Sequence, residues 1–146
     1  MNGRHPTLET GNAAEAGAAT RGWFVGDLAA WAASRGETLD ATPTQRQSEQ
    51  LYVKWSVHRP GEERPSWADA DPNTSLSLLV DGEAEFRFRT ASGETDMVRL
   101  ARQGDYVIWN GATYAHWWRT TSGCTLVTIR WPLPADDLDA DPPPVR

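Results

Sequence analysis

The chain of 146 residues has a single cysteine, Cys124, and a single lysine, Lys54. One cysteine excludes an internal disulfide and a cysteine-cluster zinc site. No apolar run approaches the ~20 residues that a membrane-spanning helix needs. Residues 1–20 hold no apolar stretch of the secretory-signal type, so a cytoplasmic location is expected. A net charge of −6 and an isoelectric point of 5.0 argue against a basic nucleic-acid surface. Leu, Ile, Val and Phe are scarce, which leans towards disorder only if net charge is also high. Eight Trp supply the missing apolar bulk. There is no phosphate loop, dinucleotide fingerprint, G-x-S-x-G elbow or zinc-type His pair. Arginine outnumbers lysine 13 to 1, a bias of GC-rich codons that suggests a bacterial source.

Composition divides the chain into three parts. Residues 1–21 are rich in Ala, Gly, Thr and Glu and are expected to be disordered. Residues 132–146 form a Pro- and Asp-rich tail. The domain between them, 22–131, opens with Phe24, Leu28 and Trp31 at helical spacing. That spacing predicts a short helix over 27–35, ended by Gly36 and capping the core.

From Leu51 the period changes to two. Strands are expected at 51–58, 75–80, 83–90, 96–100, 106–109, 116–119 and 125–131. They are separated by turns at Arg59-Pro60-Gly61, Asp81-Gly82, 91–94, Gln103-Gly104-Asp105 and Asn110-Gly111. Asp81-Gly82 between two alternating runs reads as a hairpin that sets Leu79 opposite Ala84 and Ser77 opposite Phe86. Seven or eight short strands with no helices between them indicate an all-β fold, an antiparallel β-barrel or jelly roll.

This order of turns resembles the cupin superfamily, whose motifs are G-(X)5-H-X-H-(X)3–4-E-(X)6-G and G-(X)5-P-X-G-X-X-H-(X)3-N. Gly61 and Gly82 fit the ends of the first. Gly104-Asp105-Tyr106-Val107-Ile108-Trp109 fits the opening of the second, and His116 fits its histidine with one extra residue. The metal ligands depart from the pattern: Trp67 and Asp69 stand for the two histidines, Ser75 for the glutamate, and Asn110 and Thr120 for the proline and asparagine. A transition metal needs three or four converging N/O donors. His116 and Asp69 give two, so the expectation is no metal and no cofactor. The resemblance also implies a homodimer.

Cupin ligand positions point inward, and strand parity extends that direction along each strand. Trp67, Asp69, Ser75, Ser77, Leu79, Phe86, Phe88, His116 and Trp118 are therefore expected inside, with Tyr106 and Tyr114 at the mouth. Aromatic walls with a few polar groups suit an apolar small molecule. His116 would polarise a carbonyl or move a proton, Trp67 would offer its indole N–H, and Asp69 would orient His116. The expected function is a cofactor-free enzyme of bacterial secondary metabolism that folds a substrate, such as a polyketide, for cyclisation, isomerisation or cycloaddition. The alternatives are a non-catalytic binding module, and a metal-dependent oxygenase or lyase using His116, Asp69 and His58. A fourth is a purely structural dimerisation domain. Lys54, Arg87, Arg89 and Arg130 are expected in ion pairs on the solvent or dimer face, and Cys124 as a small buried hydrophobe.

Overall fold

The computed structural model describes residues 12–39 and 46–134. The expected tail residues 1–11 (with His5) and 135–146 lie outside the described residues. In chain order the elements are α1 (Ala13–Ala16), a 3-10 turn (Ala18–Thr20), β1 (Trp23–Gly26), α2 (Leu28–Ala33), β2 (Arg46–Gln47), β3 (Tyr52–His58) and β4 (Asn73–Gly82). They continue with β5 (Ala84–Arg89), β6 (Thr95–Leu100), β7 (Tyr106–Asn110), β8 (Ala115–Arg119) and β9 (Cys124–Pro132).

Two sheets form, in the orders β2-β1-β3-β9-β4-β7 and β6-β5-β8. Residues 62–68 run along the free edge of β8. The N–H groups of Arg64 and Ala68 donate to the Trp118 and His116 carbonyls at 3.0 and 2.8 Å. With that segment counted, four strands face four and β1 and β2 extend one edge, a jelly-roll arrangement as expected.

Asp81-Gly82 does not turn a hairpin. β4 stays paired with β9 through Asp81↔Thr125 and Gly82↔Cys124, whereas β5 pairs with β6 and β8. The chain steps from one sheet to the other here. Gly82 holds φ at +83°, and a Cβ on it would stand 2.0 Å from the Gly123 carbonyl oxygen, so the step requires glycine. Ser77 and Phe86 are both buried and line the same interior space, but they are not cross-strand neighbours: Ser77 pairs with Val107 and Thr128, and Phe86 with Val98 and Trp118.

The N-terminal expectations need correction. Residues 13–16 and 18–20 form two short helical turns, with Asn12 Oδ1 accepting from the Glu15 N–H at 3.1 Å as an N-cap. Ala16 and Thr20 are buried, and the Thr20 hydroxyl donates to the Trp23 carbonyl, tying the turn to β1. Phe24 belongs to β1 and not to a helical stripe. α2 starts one residue after Asp27, whose carboxylate caps the Ala30 N–H at 3.1 Å, and it ends before Gly36 at φ +71°.

One half of the interior is apolar: Leu79, Phe86, Phe88, Leu100, Trp109, Tyr114 and Leu126 pack as one cluster. Each such side chain contributes about 1.5–3 kcal/mol relative to exposure. In the other half the first sheet inverts the usual pattern. Its polar residues Lys54, Ser56 and His58 from β3, with Thr128 and Arg130 from β9, line the interior. Its apolar residues face outwards in two rows that cross four strands in register, Tyr106-Leu78-Val127-Trp55 and Ile108-Leu76-Ile129-Val53.

Candidate functional site

Between the sheets lies a cavity of about 60 Å³. Its walls are aromatic (Trp23, Phe86, Trp109 and Trp118), and its polar groups come mostly from β3, β8 and β9. At ~10–15 Å³ per water-sized probe, this is room for about four to six heavy atoms.

Three cations, Lys54, Arg64 and Arg130, line the cavity, and no acidic residue among the described residues does. Arg130 lies 5.0 Å and Lys54 5.6 Å from the centroid of the Trp23 ring, so one indole carries both cations. Arg130 Nε donates to Ser75 Oγ at 3.3 Å, and Arg64 Nε donates to the Ser66 carbonyl at 3.0 Å. Burial, then the positive fields of Arg130 and Arg64, push the Lys54 amine down to about 8.

Two histidines complete the polar half. Burial, followed by the fields of Arg64, Arg130 and Lys54, pushes His116 down to about 3, so its imidazole is neutral at pH 7. His58 is also lowered by burial, opposed by its 3.0 Å contact with Glu62, and its ring packs 4.0 Å from that of Trp118. Trp109 is buried beside His116, and its Nε1–H has no partner among the described residues. It is an orphaned buried donor belonging to a residue of the cavity wall.

Of the residues selected from the sequence, the structure brings His116, Ser77, Phe86 and Trp118 to the cavity. Ser75 reaches it through Arg130. Leu79, Phe88 and Tyr114 sit deeper, in the apolar cluster. Three residues lie elsewhere. Trp67 does not line the cavity: the Arg89 guanidinium, exposed on β5, stacks 4.3 Å from its ring centroid, and of residues 62–68 only Arg64 reaches the cavity. Asp69 is exposed in the loop that follows. Tyr106 is 61% exposed on the outer face of β7.

The sequence reading also placed Lys54 and Arg130 on the solvent or dimer face, and both belong to the cavity. Arg64 was not selected, and His58 entered only as a ligand of the alternative metal site. The available signal was parity: Lys54, Ser56 and His58 share a face of β3, and Thr128 and Arg130 share one with Leu126.

The donor set does not fit a cupin metal. Among the described residues no three His, Cys, Asp or Glu side chains are placed to hold an ion. The neighbours of His116 are cations, which would repel a divalent metal.

No family model matches the sequence, and no curated protein is similar to it in sequence. Its backbone is similar to solved structures of oxalate decarboxylases. The Lactobacillus farciminis enzyme in its formate complex superposes with a TM-score of 0.50 and 16% identity over 58% of this chain. A Bacillus subtilis enzyme, described with Mn(II) centres, gives 0.51 and 15% over 58% of this chain. These matches span 24% and 22% of those longer chains. Among the described residues, no helix is long and apolar enough to cross a membrane.

Proposed function

From the cupin fold of this chain, we propose that the jelly roll holds a small carboxylate in its interior. One observation carries the reading: Lys54, Arg64 and Arg130 line a cavity with no acidic residue among the described residues. Half-buried cations with no acidic partner on the cavity wall are costly, and an anionic ligand removes that cost. Guanidinium forks match the two oxygens of a carboxylate. The Trp109 N–H supplies one further donor, and the aromatic walls suit a short carbon skeleton.

Size and charge weigh against the apolar, polyketide-like substrate expected from the sequence. A cavity of about 60 Å³ has room for acetate or oxalate and not for a polyketide chain. The test is a titration of the protein with acetate, oxalate, inorganic phosphate and acetamide, followed by calorimetry and tryptophan fluorescence. Saturable binding of the carboxylates without binding of acetamide is expected. Acetamide binding as well as acetate, or phosphate binding better than both carboxylates, would overturn the proposal.

A further inference from the structure

We propose that Lys54 forms a Schiff base with the carbonyl of a small 2-oxo acid whose carboxylate is held by Arg64 and Arg130. This deepens the carboxylate reading above and rests on it. Of the three cations, the two guanidiniums suffice for one carboxylate. The third is an amine, the one member of the trio able to act as a nucleophile once it loses its proton. Lys54 and Arg130 lie against the same Trp23 ring, 5.6 and 5.0 Å from its centroid, and both line the cavity with it. A 2-oxo acid matches that pairing, since its carbonyl carbon is bonded directly to its carboxylate. Pyruvate has about the four to six heavy atoms that the cavity takes.

Surface access lies beside the same residues. Lys54, Ser56 and His58 line both the cavity and an open groove of about 410 Å³ between β3 and the α1 region. Burial beside Arg130, Arg64, Arg21 and Arg35 favours the neutral amine. Desolvation next to another cation is a recognised way to activate a lysine.

The step balances without an oxidant or reductant. The Nζ lone pair forms the C–N bond as the carbonyl π pair moves to oxygen. The two amine hydrogens and that oxygen then leave as one water, giving the imine.

The experiment treats the full chain with pyruvate and sodium cyanoborohydride and maps the product by peptide mass spectrometry. Acetone, which lacks the carboxylate, runs in parallel. One reduced pyruvyl group on the Lys54 peptide is expected, formed at least tenfold faster than the acetone adduct. Arg130→Gln should slow pyruvate trapping about tenfold more than acetone trapping, the loss of one charge-assisted hydrogen bond; acetone trapping falls only as far as the missing charge lets the Lys54 amine keep its proton. Lys54→Arg should still bind acetate, which shows that it folds, and should give no adduct beyond the α-amine. Acetate binding without trapping at Lys54 overturns the Schiff base and leaves the carboxylate site standing. Absence of both overturns the two together. Equal trapping of acetone and pyruvate overturns the assigned role of the arginines.

Discussion

Trp109 and His116 lean against each other at the cavity wall, with ring centroids 4.9 Å apart and planes tilted by 52°. The Trp109 N–H is a buried donor without a partner among the described residues. Trp109→Phe removes that donor and keeps most of the ring. Stability should change by less than about 1 kcal/mol, because lost contact area and the relieved donor offset each other. Affinity for acetate should fall about fivefold or more, the worth of one hydrogen bond. Unchanged affinity in calorimetry would remove Trp109 from the site.

Trp67→Ala separates the sequence expectation from the structure. The spacing from Gly61 sets Trp67 where the cupin motif has a histidine, but it stacks on Arg89 and does not line the cavity. The loss should be about 0.5–1 kcal/mol of stability, the scale of an exposed cation–π contact. Acetate affinity should match the parent chain. A tenfold loss of affinity would return Trp67 to the pocket.

The fold was legible because alternation and glycine turns act locally. Seven strands fall close to where parity and turn chemistry put them. Asp81-Gly82 was misread because a hairpin and a step between sheets use the same residues. What differs is the partner strand, β9, about forty residues away. The cavity was half legible. His116 and Ser77 followed from motif position and parity, whereas Lys54 and Arg130 were assigned outward because charged strand residues usually face water. In β3 the relation is reversed: Val57 is 66% exposed, and Lys54, Ser56 and His58 point inward. An amphipathic strand with its polar side inside marks a polar cavity, and alternation alone cannot say which side is inside.

Gly82→Ala tests the step between sheets. The residue lies at φ +83°, and its new Cβ would meet the Gly123 carbonyl oxygen at 2.0 Å. The conformational cost and the backbone clash together should destabilise the chain by at least about 2 kcal/mol. Gly93→Ala, at φ +91° with nothing within 4 Å, should lose only the conformational part. Denaturant melts of the two variants give the comparison.

Acid should weaken the fold through His116 before the carboxylates titrate. The ring is held near 3, against 6.5 ordinarily, so between those values the unfolded chain binds a proton that the folded chain does not. Stability therefore falls as pH drops from 6.5 towards 3, on the order of a few kcal/mol in all. His116→Gln should flatten the part of the curve between pH 6.5 and about 5, above the carboxylate range. Parallel curves for the two proteins would contradict the buried neutral ring.

Carboxylate affinity should depend on Lys54 at alkaline pH. Its amine is lowered from 10.5 to about 8 by burial and by Arg130 and Arg64. In the ligand-free protein the amine loses its charge as pH rises through 8. A bound carboxylate favours the ammonium, so binding there takes up a proton and weakens as pH rises. Acetate affinity should be flat from pH 6.5 to 7.5 and then fall, approaching tenfold per pH unit above 8. A guanidinium does not lose its proton in this range, so Lys54→Arg should hold its affinity to pH 9.5. Calorimetry in two buffers of different ionisation enthalpy counts the protons directly. Uptake near one per acetate at pH 9 in the parent, and near zero in the variant, places Lys54 against the ligand. Equal uptake in both would assign the titration to another group.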